Sequence, residues 1–216
     1  MVTESQRDLA MISSYHKDEE LVSFARGVSN HFDLLSSGGT FQFLINHGLT
    51  VLSTEEYTGM PAILDHRVVT LHPKIHGGFL ARNTEAHRKE MQEWGIRRIS
   101  LLYNTVYPLI DEIVKEESTP ESVLEQTDIG GPAMLRSAAK GRAIVCCDPR
   151  DRQDVLRHLE AGTANDWLFL LKYASKAEAL VGEYTRISRM YMEELQHDHL
   201  YVNWQQEQSR WHEQFG

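Results

Sequence analysis

Cysteine is almost missing from this chain: Cys146 and Cys147 are the only two among 216 residues. They are adjacent and lie in an apolar run, so they offer neither a disulfide framework nor a zinc site and are expected as reduced strand residues. Blocks of basic residues are missing too. With a net charge of −9 and no cluster of Lys and Arg, the electrostatic footprint of a nucleic-acid binder is absent, and the expected partner is a small molecule. An anionic ligand would need its cations gathered locally. No apolar stretch approaches the roughly 20 residues that span a bilayer, and Met1 to Asp8 carries acids in place of an apolar core. Neither membrane nor secretory leader is expected, and the expected compartment is the cytoplasm. A length of 216 residues, 41% hydrophobic and 25% charged, suits one globular domain with a C-terminal appendage and leaves no room for a second catalytic domain.

What is present is alternation. Leu9 to Ile12 reads as a strand; a polar loop, Ser13-Ser14-Tyr15-His16-Lys17, follows, and Glu20, Leu21, Phe24 and Ala25 then fall at helical spacing. The pattern repeats with Phe32 to Leu35, the loop Ser36 to Thr40 and a helix through Ile45; Leu49 to Leu52 makes a third strand. Strands are also expected at Ile99 to Val106 and Ala143 to Cys147. Helices are expected at Asn83 to Trp94, Leu109 to Glu117, from Thr119, between Asp128 and Lys140, and from Asp148 to His158. This is an α/β chain of three layers, α/β/α, with a mainly parallel sheet, and its ligand is expected outside the carboxyl ends of the strands. Beyond Gly162 the composition shifts to a long helical stretch, Trp167 to Leu195, and a polar tail holding Trp204 and Trp211. Residues 1–162 therefore form the expected α/β domain, which the resemblance described below implies is nucleotide-binding, and residues 163–216 a helical extension.

Several stretches carry chemistry. Ser37-Gly38-Gly39-Thr40 opens a helix, where free N–H groups and the dipole attract an anion, although a plain helix cap reads equally well. Arg67-Val-Val-Thr-Leu-His-Pro-Lys-Ile-His-Gly-Gly78 packs cations, a hydroxyl and imidazoles between Pro73 and a glycine pair, which reads as a shaped loop rather than a regular element. His72 and His76 stand four apart, but Pro73 is expected to spoil the helix that would align them and a third ligand is lacking, so no metal is expected. His197 and His199 read as a solvated tail. Tyr107, at a strand end before a proline, reads as a donor to an oxyanion or as core packing. Asp128, before Gly130-Gly131-Pro132, reads as a helix cap, and Lys140 as a cation near the helix C-terminus.

The twelve residues from Arg67, together with Asp128-Ile-Gly-Gly-Pro-Ala-Met-Leu-Arg-Ser-Ala-Ala-Lys140, resemble the signature motifs of the IMP cyclohydrolase domain, the N-terminal, methylglyoxal-synthase-like half of a bifunctional purine-biosynthesis enzyme. The resemblance runs from about Leu9 to Gly162. It implies that Asp128 and Lys140 are a general base and acid and that Tyr107 is an oxyanion donor. It places the nucleotide phosphate on Ser37, Gly38, Gly39 and Thr40 together with the preceding loop, where Lys17 matches the family's Ser-x-Ser-Asp-Lys while Tyr15 and His16 depart from it. Arg67 and Thr70 match the family's Arg-Val-Lys-Thr; Val69 stands where it has lysine, with Lys74 or His66 as substitutes for the lost charge. Thr105 replaces its asparagine before Tyr107. Val68, Asn104, Ile129 and Gly130 complete the implied substrate contacts. The implied reaction is cyclodehydration of formylated aminoimidazole carboxamide ribonucleotide to IMP, or the same closure on a purine-like analogue, with no cofactor. The implied partners are a purine nucleotide or its formylated precursor, a second copy in a homodimer, and a separate formyltransferase. A non-catalytic nucleotide-binding module and a lyase like methylglyoxal synthase, which shares the fold, are the alternatives, the second disfavoured by the Asp128 to Lys140 motif.

Overall fold

In the computed structural model, which describes residues 7–196 and 202–215, the apolar run Leu9–Ser14 (β1) is the centre of the sheet. It is covered on both faces, as a central parallel strand must be, and pairs with Asp33–Ser36 (β2) on one side and Ile99–Thr105 (β4) on the other. Val51–Ser53 (β3) and Ile144–Cys146 (β5) complete a parallel sheet of five strands in the order β3-β2-β1-β4-β5. The crossovers between these parallel strands put helices on both faces. Glu19–Ser29 (α1), capped by the Asp18 carboxylate on Leu21 N–H, meets Arg152–Glu160 (α9) on one face. Pro73–Leu80 (α4), Gly130–Gly141 (α8) and the long Trp167–Gln196 (α10) pack together on the other. The three-layer α/β/α expectation therefore holds. Cys146 and Cys147 are buried and unbridged, and burial pushes both thiols up, Cys147 to about 12.

Gly38–Asn46 (α2) starts directly after β2, and Thr54–Thr58 (α3) after β3. Glu85–Glu93 (α5), Leu109–Ile113 (α6) and Pro120–Glu125 (α7) lie between. α6 is one short turn and not a helix through Glu117. A 3-10 turn at Pro149–Asp151, opened by the Asp148 side chain on Arg150 N–H, precedes α9.

The stretch from Pro73 to Gly78 corrects the loop expectation, because it is the helix α4. Pro73 sits at the first helical position, where its missing donor is no loss and its φ is already helical. His72 is the cap, its Nδ1 accepting from Lys74 N–H at 3.1 Å, while His76 Nδ1 lies 2.8 Å from Ser137 Oγ. The glycines serve close approach: a Cβ on Gly78 would stand 2.7 Å from the Arg97 carbonyl, and α4 lies directly on the chain entering β4.

The tail is also an element. Trp204–Phe215 (α11) folds back on the body with Trp211 buried, and the residues of α10 and α11 join the same core as the sheet. His197 and His199 lie outside the described residues. Among the described residues, no helix is long and apolar enough to cross a membrane.

Candidate active site

Register aligns the carboxyl ends of the strands: Ser14 lies opposite Thr105, and Ser36 opposite Ser53. Residues just past these ends share one rim. At its first end, Lys17 lies over the start of α2. A Cβ on Gly39 would touch Lys17 Cε at 3.3 Å and Nζ at 3.8 Å, while Gly38 adopts φ +49° with open space beside it. Ser37 is the cap residue but gives no side-chain bond, so the first N–H groups of α2 are uncapped next to an ammonium. A helix start plus a point charge is a physical cradle for a phosphate.

Thr40 is not a ligand group in this arrangement. Its buried Oγ1 accepts from Ser14 N–H at 3.0 Å and donates to the Ser14 carbonyl at 3.1 Å, stapling α2 to the end of β1. Thr105 works similarly: its Oγ1 accepts from Tyr15 N–H at 3.0 Å and meets Ser14 Oγ at 3.0 Å. The Tyr15 ring, half exposed, stands edge-on to Tyr107 at 4.9 Å and to His16 at 4.5 Å, giving the rim an aromatic wall.

The second end is built by Thr70, Asn104 and the loop from Asp128. Asp128 Oδ1 accepts from Gly131 N–H at 3.0 Å. Burial raises its carboxyl above the usual carboxylate range, against the opposing pull of the Gly131 and Gly130 N–H groups. No side chain fits at either glycine: a Cβ on Gly130 would stand 2.6 Å from Thr70 Oγ1, and one on Gly131 3.0 Å from Asn104 Oδ1. Asn104 is 2% exposed, yet its Oδ1 has no hydrogen-bond partner among the described residues. Val68 and Val69 are half-buried beside Thr70, and Ile129 is exposed.

Besides Thr40, four expected placements differ. Arg67 pairs with Glu125 on the exterior, after three residues, Leu64, Asp65 and His66, that hold left-handed φ of 54°, 53° and 67°. Lys74 donates to the Tyr57 carbonyl at 3.2 Å, and so does not replace the charge missing at Val69. Tyr107 already donates its O–H to the buried Glu112 carboxylate at 3.0 Å, because a buried carboxylate requires donors; Lys115 serves the same pair. Lys140 lies at the far end of α8, about 15 Å along the axis from Gly130, where Gly141 abuts the Phe79 carbonyl. Asp128 and Lys140 are thus not brought together within this chain.

Two buried residues that brace these loops escaped the sequence reading. Tyr184 of α10 accepts from Asp128 N–H at 2.7 Å and is 2% exposed. Arg152, also 2% exposed, donates to Tyr103 Oη at 2.6 Å and to Asp18 Oδ1 at 3.1 Å, fixing the residue that follows Lys17. Only the helical spacing of Tyr173, Leu180, Tyr184 and Ile187 signalled a buried face there. Among the described residues no group of three or more His, Cys, Asp or Glu is placed to hold a metal ion.

The parallel α/β domain has its counterpart among known families. The MGS-like domain family matches residues 20–133, and the chain belongs to that family. It is similar to the bifunctional purine biosynthesis protein PurH of Magnetococcus marinus, 46% identical over 145 residues, which covers 65% of this chain and 27% of that protein. PurH of Oenococcus oeni is 38% identical over 181 residues, covering 76% of this chain and 34% of the relative. The chain thus spans about a third of the length of the curated relatives it matches. Among solved structures, the crystal structure of ForH superposes with a TM-score of 0.71 at 33% identity, over 83% of this chain and 94% of that one.

Proposed function

We propose that this domain acts in purine-type nucleotide synthesis by closing the six-membered ring of a formylated aminoimidazole carboxamide ribonucleotide. The observation that carries the reading is the pairing on one rim of a phosphate cradle, Lys17 over Gly38 and Gly39, with a buried carboxylate of raised pKa, Asp128. The similarity to PurH over the same part of the chain supports it.

The chemistry follows from those residues. The carboxamide nitrogen bonds to the formamido carbon; Asp128 takes the proton that nitrogen sheds and passes it to the former carbonyl oxygen. That oxygen leaves as water with the proton of the formamido nitrogen, and the ring is closed. A carboxyl lifted by burial is both a stronger base and a competent acid for the return step, so one group covers both transfers. Holding both ends of one molecule supplies the rest through proximity. Lys140 has no part in this scheme within one chain, and Tyr107 contributes its ring and its bond to Glu112.

The assay is formation of IMP from the formylated nucleotide above the spontaneous rate. Tight IMP binding without turnover would instead support a nucleotide-binding module, a reading favoured by the remoteness of Lys140. Val69→Lys tests specificity: it is expected to raise turnover of the purine precursor several-fold, and an unchanged or lower rate refutes a drift at this position.

A further inference from the structure

We infer that the two C-terminal helices belong to the site: Tyr184 of α10 is a positioning residue that sets the Asp128 carboxylate, and α11 holds both Tyr184 and the α6 turn that anchors Tyr107. The inference rests on the proposed reaction for its kinetic consequences, but not for its geometry.

Asp128 is gripped twice. Its carboxylate bends back to the Gly131 N–H, and its own backbone N–H donates to Tyr184 Oη at 2.7 Å. A phenol 2% exposed must place its oxygen on some polar partner, and this one is used on the residue just before α8. Nothing else on the described surface of α10 reaches that N–H. The Tyr184 ring is then backed by Trp211 of α11, edge-on at 6.2 Å and itself buried.

α11 is fixed along its length. Trp204 Nε1 donates to Glu194 Oε2 at 2.5 Å, and Arg186 of α10 pairs with Glu207. On the opposite side, Gln208 Nε2 donates to Asp111 Oδ1 at 2.9 Å, and His212 Nε2 lies 2.8 Å from the same oxygen. Asp111 is next to Glu112, the acceptor of the Tyr107 hydroxyl. One helix therefore braces two separate pieces of the rim, the Asp128 loop through Trp211 and Tyr184, and the Tyr107 wall through Asp111.

The test is Tyr184→Phe in the full chain, which removes the acceptor and keeps the ring. Backbone amide exchange at Asp128 is expected to quicken roughly three- to tenfold, the worth of one hydrogen bond, while amides of β1 stay unchanged. On the formylated nucleotide, kcat is expected to fall by a similar factor with KM within about twofold. The loss should vanish in the Asp128→Asn background, where the group being positioned is gone. Unaltered exchange at Asp128 overturns the inference, as does a rate loss of equal size in both backgrounds. A Gln208→Ala, His212→Ala double variant changes only the α6 side, touches no core residue, and is expected to lower kcat with KM kept; wild-type kcat there removes the α11 part. If the unmodified protein turns over no precursor, the proposed reaction fails on its own, and the exchange measurement still decides the positioning role.

Discussion

Replacing Asp128 with asparagine is expected to abolish most activity and, at neutral pH, to make the protein more stable. The two effects have one cause. Burial raises the Asp128 pKa, so the folded state favours the neutral carboxyl more than the unfolded chain does. Stability from this group is fully present below the ordinary Asp value, about 3.9, and is lost as pH rises through the elevated folded value. At neutral pH the wild type therefore holds a charge that its surroundings disfavour. Asparagine removes that charge and keeps an oxygen for Gly131 N–H, which Asp128 now accepts at 3.0 Å. The gain is ~1.4 kcal/mol for every unit of elevation, and each kcal/mol moves Tm by about 2–4 °C in a chain of this size. Asp128→Ala loses the charge and the cap together, and the missing cap costs about 1 kcal/mol. The expected order of Tm at pH 7 is Asn above Ala, and Asn above wild type, with the Asn advantage closing as pH falls toward 4. Loss of a proton-transferring group lowers the rate by about 10²–10⁴, or ~3–5 kcal/mol of barrier. Calorimetry at several pH values and the IMP assay read both sides. A Tm for Asp128→Asn below wild type at pH 7, a difference that ignores pH, or activity within threefold of wild type would each refute the argument.

Lys17→Ala is expected to weaken nucleotide binding about tenfold while sparing the unphosphorylated nucleoside, as measured by titration calorimetry; equal losses for both ligands would remove the cradle. Gly78→Ala forces a Cβ to 2.7 Å from the Arg97 carbonyl and the same distance from Ile99 Cγ1, so it is expected to lower urea stability by about 2–4 kcal/mol, and an unchanged midpoint contradicts the packing. Asp154 is held well below the usual carboxylate range by the Tyr173 hydroxyl and the Lys172 ammonium. Its contribution is present above about pH 4 and lost as pH falls further, so Asp154→Asn is expected to cost about 2 kcal/mol at pH 7 and progressively less in acid; a pH-independent difference would sink this assignment.

The strands were legible because their apolar runs end in loops of Ser, Gly and Lys, and the start of α2 because Ser37-Gly38-Gly39-Thr40 lies where strand gives way to helix. The roles of individual side chains were less so. Pro73 and Gly77-Gly78 are consistent with a loop or with a helix that starts on a proline and packs closely; only the nearness of Arg97 decides for the helix. Thr40 and Tyr107 have the right chemistry for ligand contacts, but Ser14 and Glu112, brought in by the fold, occupy their hydroxyls. Lys140 lies away from Asp128 for a geometric reason: a motif that runs the length of a helix puts its two ends about 15 Å apart. Tyr184 was hidden since periodicity marks a buried face without saying which polar group its hydroxyl must meet.

The two edges of the sheet differ in a way that separates binding from bracing. At the amino edge, a cavity of about 600 Å³ is lined by Arg7, Arg26 and Arg97, which resembles an anion site by composition alone. Yet Arg7 donates to the Ser29 carbonyl at the end of α1 and Arg26 to the His47 carbonyl at the end of α2, where a cation satisfies the helix terminus, and Arg97 is paired with Asp33. Those charges stabilise the fold. At the carboxyl edge, Asn104 keeps a buried acceptor without a partner among the described residues, and Asp128 keeps a carboxylate where burial disfavours its charge. Both are unfavourable to folding alone, and they meet at Gly131, where an added Cβ would crowd Asp128 Oδ2 and Asn104 Oδ1. Because the three arginines of the amino-edge cavity are engaged at helix ends and with Asp33, we place the proposed ligand at the carboxyl rim, beside Asn104 and Asp128.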